Sequence, residues 1–313
     1  MEVVRVDIMS EFTAMDIISY LENELNNFTD FSALFKQIYS NFHQKDCARA
    51  YGYILKNSTN SKLLDLTIRE VNKTRYFENL ENLIDFILRT TNDDLINAKV
   101  LAIKTISNYK STNAVSALMY CLNDKNSNYK IRLASAEALG KIGDRNAFDA
   151  LTNIVTDEDE KSIYIRESAA VALGMLGDSR ALDVFSSILN TKQMFLDKFS
   201  YLKEKIVEAM SNLDIAKDKN ALSMLKKSLL DKSSRIRISA IETLMNAELE
   251  ESYDLIYERL KYDDNIEVRK NALVALYNLS DRTILDEILN NDYPRELQAQ
   301  AMDIIKEYED NDE

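Results

Sequence analysis

The chain has 313 residues, of which five are glycine and one is proline. Because strands and tight turns use both residue types heavily, this composition favours helices joined by short polar loops. The formal net charge of −13 repels phosphate groups, which argues against generic binding to nucleic acids or anionic membranes. A basic or neutral protein partner suits this charge better.

The cysteine content and the N-terminal sequence bear on the cellular compartment. Cys47 and Cys121 are too few for a disulfide framework, which favours a reducing environment. Glu2, Arg5 and Asp7 interrupt the apolar residues at the start of the chain, so it lacks a signal-peptide core and the ~20 apolar residues of a membrane span. These features predict a cytoplasmic protein that does not enter a membrane.

The N-terminal segment has a helical pattern but no readable repeat. Phe31, Leu34, Phe35 and Ile38 have the spacing of one face of an amphipathic helix. We therefore predict an N-terminal helical cap, or a divergent first repeat, over residues 1–58.

An internal repeat is clearest in two adjacent segments. Residues 131–151 read IRLASAEALGKIGDRNAFDAL, and residues 165–185, which begin 34 residues later, read IRESAAVALGMLGDSRALDVF. Weaker copies begin near residues 98, 202, 236 and 268, and a degenerate last helix covers 295–305. Periods of this length are typical of stacked helical hairpins, in which each neighbour covers an apolar face that a single hairpin leaves exposed.

This repeat predicts an all-α fold, a right-handed α-solenoid over residues 59–306, followed by an acidic tail at 307–313. Gly140 and Gly174 follow the first helical run of each copy and suggest left-handed C-caps. Asp144 and Asp178 follow them and suggest N-caps for the next helix.

The two central copies resemble the HEAT-like repeat of phycobilisome lyases, whose pattern is IRxxAxxALGxxGDxxAxxxL. The resemblance covers roughly residues 98–280 and implies the fold, whereas the functions of family members differ. One branch is a hydroxylase that builds a di-iron site from His-Glu pairs. Here the single histidine, His43, precedes Gln44, which excludes that activity. The bilin-lyase branch would hold an open-chain tetrapyrrole for transfer to a phycobiliprotein, with Tyr164 and Tyr201 as contacts, but the chain has no Trp and no lyase-specific motif.

A basic residue recurs at one position of the repeat, and two interpretations of it are open. The arginines and the loop acids of these repeats are Arg132, Arg166, Arg237, Arg269, Asp124, Asp157, Asp231 and Asp263. They either form a basic surface for an acidic partner or form a structural ladder of Asp–Arg hydrogen bonds between adjacent repeats. Charge-assisted bonds of this kind would tie the loops together, so we favour the structural ladder.

The solvent side of each second helix is the candidate binding surface. In HEAT solenoids this helix lines the concave side, and here it is predicted to combine acidic residues with apolar anchors. The predicted contact residues are Glu137, Tyr164, Glu167, Val171, Tyr201, Glu204, Glu208 and Glu242. Aromatic side chains among charges are typical of protein interfaces.

Motifs for catalysis are missing from the sequence. There is no Gly-rich phosphate loop, no Gly-x-Ser-x-Gly elbow and no Cys-x-x-Cys pair. Cys121 reads as a buried thiol in an amphipathic helix, and His43 alone makes neither a triad nor a metal site. We therefore expect a non-enzymatic interaction scaffold or adaptor without cofactor or metal, which binds a protein or peptide; the alternative is a phycobilin lyase or chromophore chaperone.

Overall fold

The structure is a computed structural model that describes residues 35–36, 44–191, 199–247, 249–280 and 282–311. Within these ranges the regular secondary structure is helical, which confirms the predicted all-α fold. None of the described helices is long and apolar enough to cross a membrane. By its internal contacts the chain divides into two compact units, Met1–Ala147 and Phe148–Glu313, called unit 1 and unit 2.

Unit 1 is built from helical hairpins in two layers. From residue 44 onward its helices are α1 (Gln44–Asn57), α2 (Ser61–Thr74), α3 (Glu78–Arg89), α4 (Ile96–Asn108), α5 (Val115–Asn123) and α6 (Tyr129–Ile142). The first helices of the hairpins, α1, α3 and α5, pack on one another, and the second helices, α2, α4 and α6, do the same. Each first helix also packs against the second helix of its own hairpin.

Unit 2 repeats this arrangement with more hairpins. Its helices are α7 (Phe148–Thr156), α8 (Ile163–Met175), α9 (Arg180–Leu189), α10 (Ser200–Met210), α11 (Lys219–Ser228), α12 (Ser234–Ala247), α13 (Ser252–Tyr262), α14 (Ile266–Leu279), α15 (Thr283–Asn290) and α16 (Arg295–Asn311). The second helices α8, α10, α12, α14 and α16 pack on one another in chain order. Consecutive packing of hairpins is the arrangement of an α-solenoid, as predicted.

Local sequence signals explain where these helices begin and which side they bury. Asn60, Asn128 and Asn265 precede α2, α6 and α14, and each side chain accepts a hydrogen bond from a backbone N–H of the first turn. The apolar side of each helix faces the other layer, so the side turned away from the first helices stays in solvent. We call this solvent side of the second helices the second-helix face of the unit; the helices are α2, α4 and α6 in unit 1 and α8, α10, α12, α14 and α16 in unit 2.

The predicted C-cap glycines are wrong by one turn. Gly140 and Gly174 lie within helices and are buried, whereas Gly143 and Gly177 have the positive φ angles, 75° and 63°. The helices continue because the apolar pattern continues through Ile142 and Leu176. Gly143 then ends α6 by donating its N–H to the Leu139 carbonyl, at 3.1 Å.

The segment that was predicted as a cap is described only in part. Phe31, Leu34, Ile38 and His43 lie outside the described residues, whereas Phe35 is helical and packs on Tyr51 of α1, with ring centroids 5.9 Å apart. At the other end α16 continues to Asn311. The boundaries predicted at residues 58 and 306 stay predictions.

Candidate protein-binding face

Three of the four repeated arginines are buried at the junction between the two helices of a hairpin. Arg132, Arg166 and Arg237 are each less than a tenth exposed, so their guanidinium groups are not surface groups. Arg132 Nε donates to the Leu122 carbonyl at 2.9 Å, and Arg166 Nε donates to the Val155 carbonyl at 3.0 Å. These carbonyls end the preceding first helix, where a cation satisfies otherwise unpaired oxygens.

Arg269 makes the same contact, and Arg237 adds carboxylates. Arg269 Nε donates to the Leu260 carbonyl at 2.7 Å. Arg237 donates to Asp263 through Nε at 2.9 Å and Nη2 at 2.7 Å, and to the Asp231 carbonyl at 2.9 Å. Asp263 is the loop acid of the next repeat, so this pair joins two hairpins, and the side chain of Asp231 pairs with Lys203 instead.

Asp124 and Arg166 show two further parts of the predicted ladder. Asp124 Oδ1 accepts from the backbone N–H of Asn126 at 3.1 Å, within its own loop. Burial is the main influence on Arg166 and lowers its pKa, while the nearby acids Glu158 and Asp157 oppose the change. The pairing of every repeat arginine with a loop acid stays a prediction, but the burial of the guanidinium groups favours a structural role.

The second-helix face of unit 2 brings together most of the predicted contact residues. Tyr164 and Tyr201 are 63% and 54% exposed at the starts of α8 and α10, and Met175 is 43% exposed at the end of α8. Val171 is half-buried between them along α8. Exposed tyrosine and methionine side chains of this kind could serve as anchors for a partner.

Four glutamates of three consecutive second helices lie on the same face. Glu167 is on α8, Glu204 and Glu208 are on α10, and Glu242 is on α12. Lys205 Nζ donates to Glu208 Oε2 at 2.7 Å and is close enough to Glu167 and Glu204 for their charges to raise its pKa further. Lys205 thus lies near three carboxylates, and the charges of Glu208 and Glu204 also act on a fourth, Glu242, so the cluster has an excess of negative charge.

Burial, together with the neighbouring charges, raises the pKa of two of these glutamates. Burial raises the pKa of Glu167 above its ordinary 4.5; Lys205 opposes the rise and Glu204 adds to it. Burial also raises the pKa of Glu242 above 4.5, and Glu208 and Glu204 raise it further. A cation that approaches from solvent would therefore stabilise the ionised form of both carboxylates.

Arg235 extends the face toward α12. Its Nη1 donates to the Tyr201 hydroxyl at 2.8 Å, and its guanidinium carbon lies 5.2 Å from the centroid of the Tyr201 ring. This contact fixes the exposed ring of Tyr201 beside the carboxylates. Sequence reasoning missed Lys205 and the contact of Arg235 with Tyr201, because the neighbour of a side chain on the next helix depends on the lateral register of the two helices.

Glu137, the remaining predicted contact residue, lies in unit 1. It is on α6, where a groove of about 160 Å³ between α4 and α6 also contains Lys104 and Lys141. Its immediate surroundings are therefore basic, unlike those of the four glutamates in unit 2.

Ionisation of the acidic cluster should oppose folding of unit 2. A carboxyl with a raised folded pKa binds its proton more tightly in the folded state, so stability falls as pH rises from 4.5 through the raised values. We expect E167Q/E242Q to have a higher urea midpoint than the wild type at about pH 7, with a difference that shrinks toward pH 4.5. Circular dichroism measures both, and E250Q, at an exposed glutamate, is the control. A lower midpoint for the double variant at neutral pH would contradict the expectation.

The cysteines lie in the core of unit 1. Cys47 and Cys121 are 2% and 3% exposed, and burial is the main reason that the pKa of each thiol is raised. A thiol with a raised pKa is a poor nucleophile at neutral pH. Among the described residues, no group of three or more His, Cys, Asp or Glu side chains is arranged to hold a metal ion.

Comparison with known families addresses the repeats directly. The family profile of HEAT repeats matches residues 80–163 and 128–198. Residues 80–198 are HEAT repeats. The predicted repeat type is thereby confirmed on sequence, and these HEAT repeats include both copies from which it was predicted.

The HEAT repeats also have counterparts among solved structures. The complex of CpcE and CpcF of phycocyanin lyase from Nostoc sp. PCC7120 is 22% identical, with a TM-score of 0.48 over 73% of this chain and 87% of that chain. Human deoxyhypusine hydroxylase in complex with glycerol is 16% identical, with a TM-score of 0.38 over 84% and 96%. No curated protein sequence matches the chain. At these identities and TM-scores the likeness carries no inference of function.

Proposed function

We propose that this protein is a non-enzymatic interaction scaffold, whose second-helix face in unit 2 binds a basic segment of a partner protein. The single observation that carries the proposal is the acidic cluster on a face with exposed tyrosines: Glu167, Glu204 and Glu208 lie near Lys205, and Glu242 lies near Glu204 and Glu208. HEAT repeats support it in general terms, since stacked hairpins present extended surfaces to partners.

The chemistry of the face specifies the partner segment. Lysine or arginine side chains would relieve the repulsion among the carboxylates, and apolar side chains would cover Tyr164 and Met175, which are largely exposed. An amphipathic helix with basic and apolar sides offers both groups at suitable spacing. Charge complementarity would raise the association rate and make binding sensitive to salt.

A fluorescent peptide of alternating lysine and leucine blocks tests this chemistry. We expect E204Q/E208Q/E242Q to weaken its binding by about tenfold or more in fluorescence anisotropy at low salt, since three carboxylates that contact the peptide lose their charge. The matched control is E250Q/E251Q/E258Q, which makes the same charge change at exposed residues in or beside α13, in the first-helix layer. Equal weakening in both variants would mean that the peptide responds only to the net charge of the protein, and would contradict a binding site at the acidic cluster.

Affinity purification of the tagged chain from its native cells tests the biological role. A stoichiometric protein partner, lost with E204Q/E208Q/E242Q and retained with the control variant, is the expected result. A visible absorbance band of an open-chain tetrapyrrole in the eluate would instead overturn the scaffold in favour of a lyase.

A further inference from the structure

The second-helix faces of the two units have opposite charge. Among the described residues of unit 1, this face contains six exposed cations and, on or beside it, three carboxylates. The cations are Lys62, Arg69, Lys73, Lys104, Lys130 and Lys141, and the carboxylates are Asp65, Glu70 and Glu137. In unit 2 the order is reversed, because carboxylates outnumber Lys205, Arg235 and Lys270 on the corresponding face. The net charge of −13 conceals this difference.

The basic face of unit 1 contains a groove as well as charge. Lys104 lies on the solvent side of α4 and Lys141 on that of α6, and both line the groove of about 160 Å³ between these helices. Ala134 and Ala138 of α6 are buried and supply an apolar lining. Small side chains there leave room in the groove for a side chain of a partner.

The polar residues of the groove favour a carboxylate as the occupant. Asn108 donates its side-chain N–H to Asn72 Oδ1 at 2.7 Å, which ties α4 to α2 and holds one wall of the groove. The side chains of Lys104 and Lys141 both line the groove, and an anionic side chain between them would form charge-assisted hydrogen bonds. Glu137 partly neutralises the lysines, so the groove suits a single carboxylate better than a continuous polyanion.

We propose that the groove between α4 and α6 is a second docking site, which takes a carboxylate side chain of an acidic protein segment between Lys104 and Lys141. Half-buried Leu133 beside the groove would contact an apolar residue of the same segment. This site is independent of the acidic face of unit 2 and selects partner segments of the opposite charge. A phosphate backbone fits it less well, because it would also have to pass Glu137.

A fluorescent peptide of alternating glutamate and leucine blocks is the probe for this site. In fluorescence anisotropy at low salt, we expect K104E/K141E to bind it about tenfold or more weakly than the wild type, and K104Q/K141Q to fall between them. E137Q should bind the peptide more tightly, because it removes the competing carboxylate. The control is K226E/K227E, an equal charge change at exposed residues of α11 in unit 2, with binding close to that of the wild type.

The outcomes separate this site from its alternatives. Unchanged binding in K104E/K141E, equal weakening in K226E/K227E, or weaker binding in E137Q would each overturn the proposal. Tighter binding of a single-stranded DNA oligonucleotide than of the peptide, with loss in K104E/K141E, would show a nucleic-acid site instead. The lysine and leucine peptide should bind K104E/K141E as it binds the wild type, so the two proposed faces can fail separately. Circular dichroism melts verify that every variant is folded.

Discussion

Replacement of Asp263 by alanine should destabilise unit 2 by about 3–5 kcal/mol, because the change leaves a buried guanidinium without its main partner. The side chains of Arg237 and Asp263 are only 10% and 2% exposed, and two hydrogen bonds join them. Asp263 also accepts from the backbone N–H of Asn265 at 3.0 Å, so the start of α14 loses a contact as well. The urea midpoint by circular dichroism measures the loss, and hydrogen exchange assigns it to α12 and α14.

Asp264 provides a matched control on the same arginine. Its carboxylate lies 2.8 Å from Arg237 Nη2 but is 91% exposed, so D264A should cost no more than about 1 kcal/mol. The double variant R237L/D263L should recover much of the stability that D263A loses, since it removes both buried charges together. Equal stability of D263A and D264A would show that burial does not make this pair important, and would weaken the structural interpretation of the repeat arginines.

The arginine positions illustrate what the sequence can predict. The period of the Ile-Arg pair identifies the helical hairpin and its register, because side chains that recur at helical spacing must share one side of a helix. The apolar neighbours of Arg132 and Arg166 thus indicate that this side of the helix is buried. The sequence does not predict the hydrogen-bond acceptor of each guanidinium, because the acceptor depends on the path of a loop. Arg237 contacts a carboxylate of the next repeat, whereas the described Arg269 bond goes to a carbonyl.

In the candidate site, too, the sequence predicts which side of a helix a residue occupies but not its neighbours on the next helix. Glu167, Glu204 and Glu208 could be assigned to one solvent side from helical spacing alone. The position of Lys205 among them depends on how far α10 is shifted along α8, and the spacing between repeats varies near residue 200. Glu137 has the same repeat position as Glu208, but it lines a groove together with Lys104, which belongs to the preceding hairpin. Periodicity predicts a side of a helix, but not its neighbours across the groove.

The substitution G174A tests how closely α8 and α10 must pack. A Cβ atom at this position would lie 2.6 Å from the Ala209 carbonyl oxygen and 2.8 Å from Ala209 Cβ. Helix propensity alone predicts that G174A gains about 1 kcal/mol, since alanine favours a helix interior over glycine. The clash is with backbone, which cannot rotate away, so α8 and α10 must separate. We therefore expect a net loss of about 1–3 kcal/mol in urea unfolding.

Gly52 of α1 is the matched control, because it is also helical and buried. Its added Cβ would approach the side chain of Asn82, with Nδ2 at 2.5 Å, and that side chain can change rotamer. The rotation would give up bonds from Asn82 Nδ2 to the Glu78 carbonyl and Asn79 Oδ1, at 3.2 and 3.3 Å. G52A should therefore lose less stability than G174A, and the opposite order would contradict the close approach of α8 and α10.

The effect of G174A on binding follows from the same geometry. Glu167 on α8 interacts with Lys205 and Glu204 on α10, so a wider helix spacing separates the groups of the acidic cluster. We expect G174A to weaken binding of the lysine and leucine peptide under conditions where the variant is fully folded, and G52A to leave it unchanged. Loss of stability without loss of binding would mean that the peptide does not contact α8 and α10 together. The spacing of the second helices would then support the fold but not the proposed binding face.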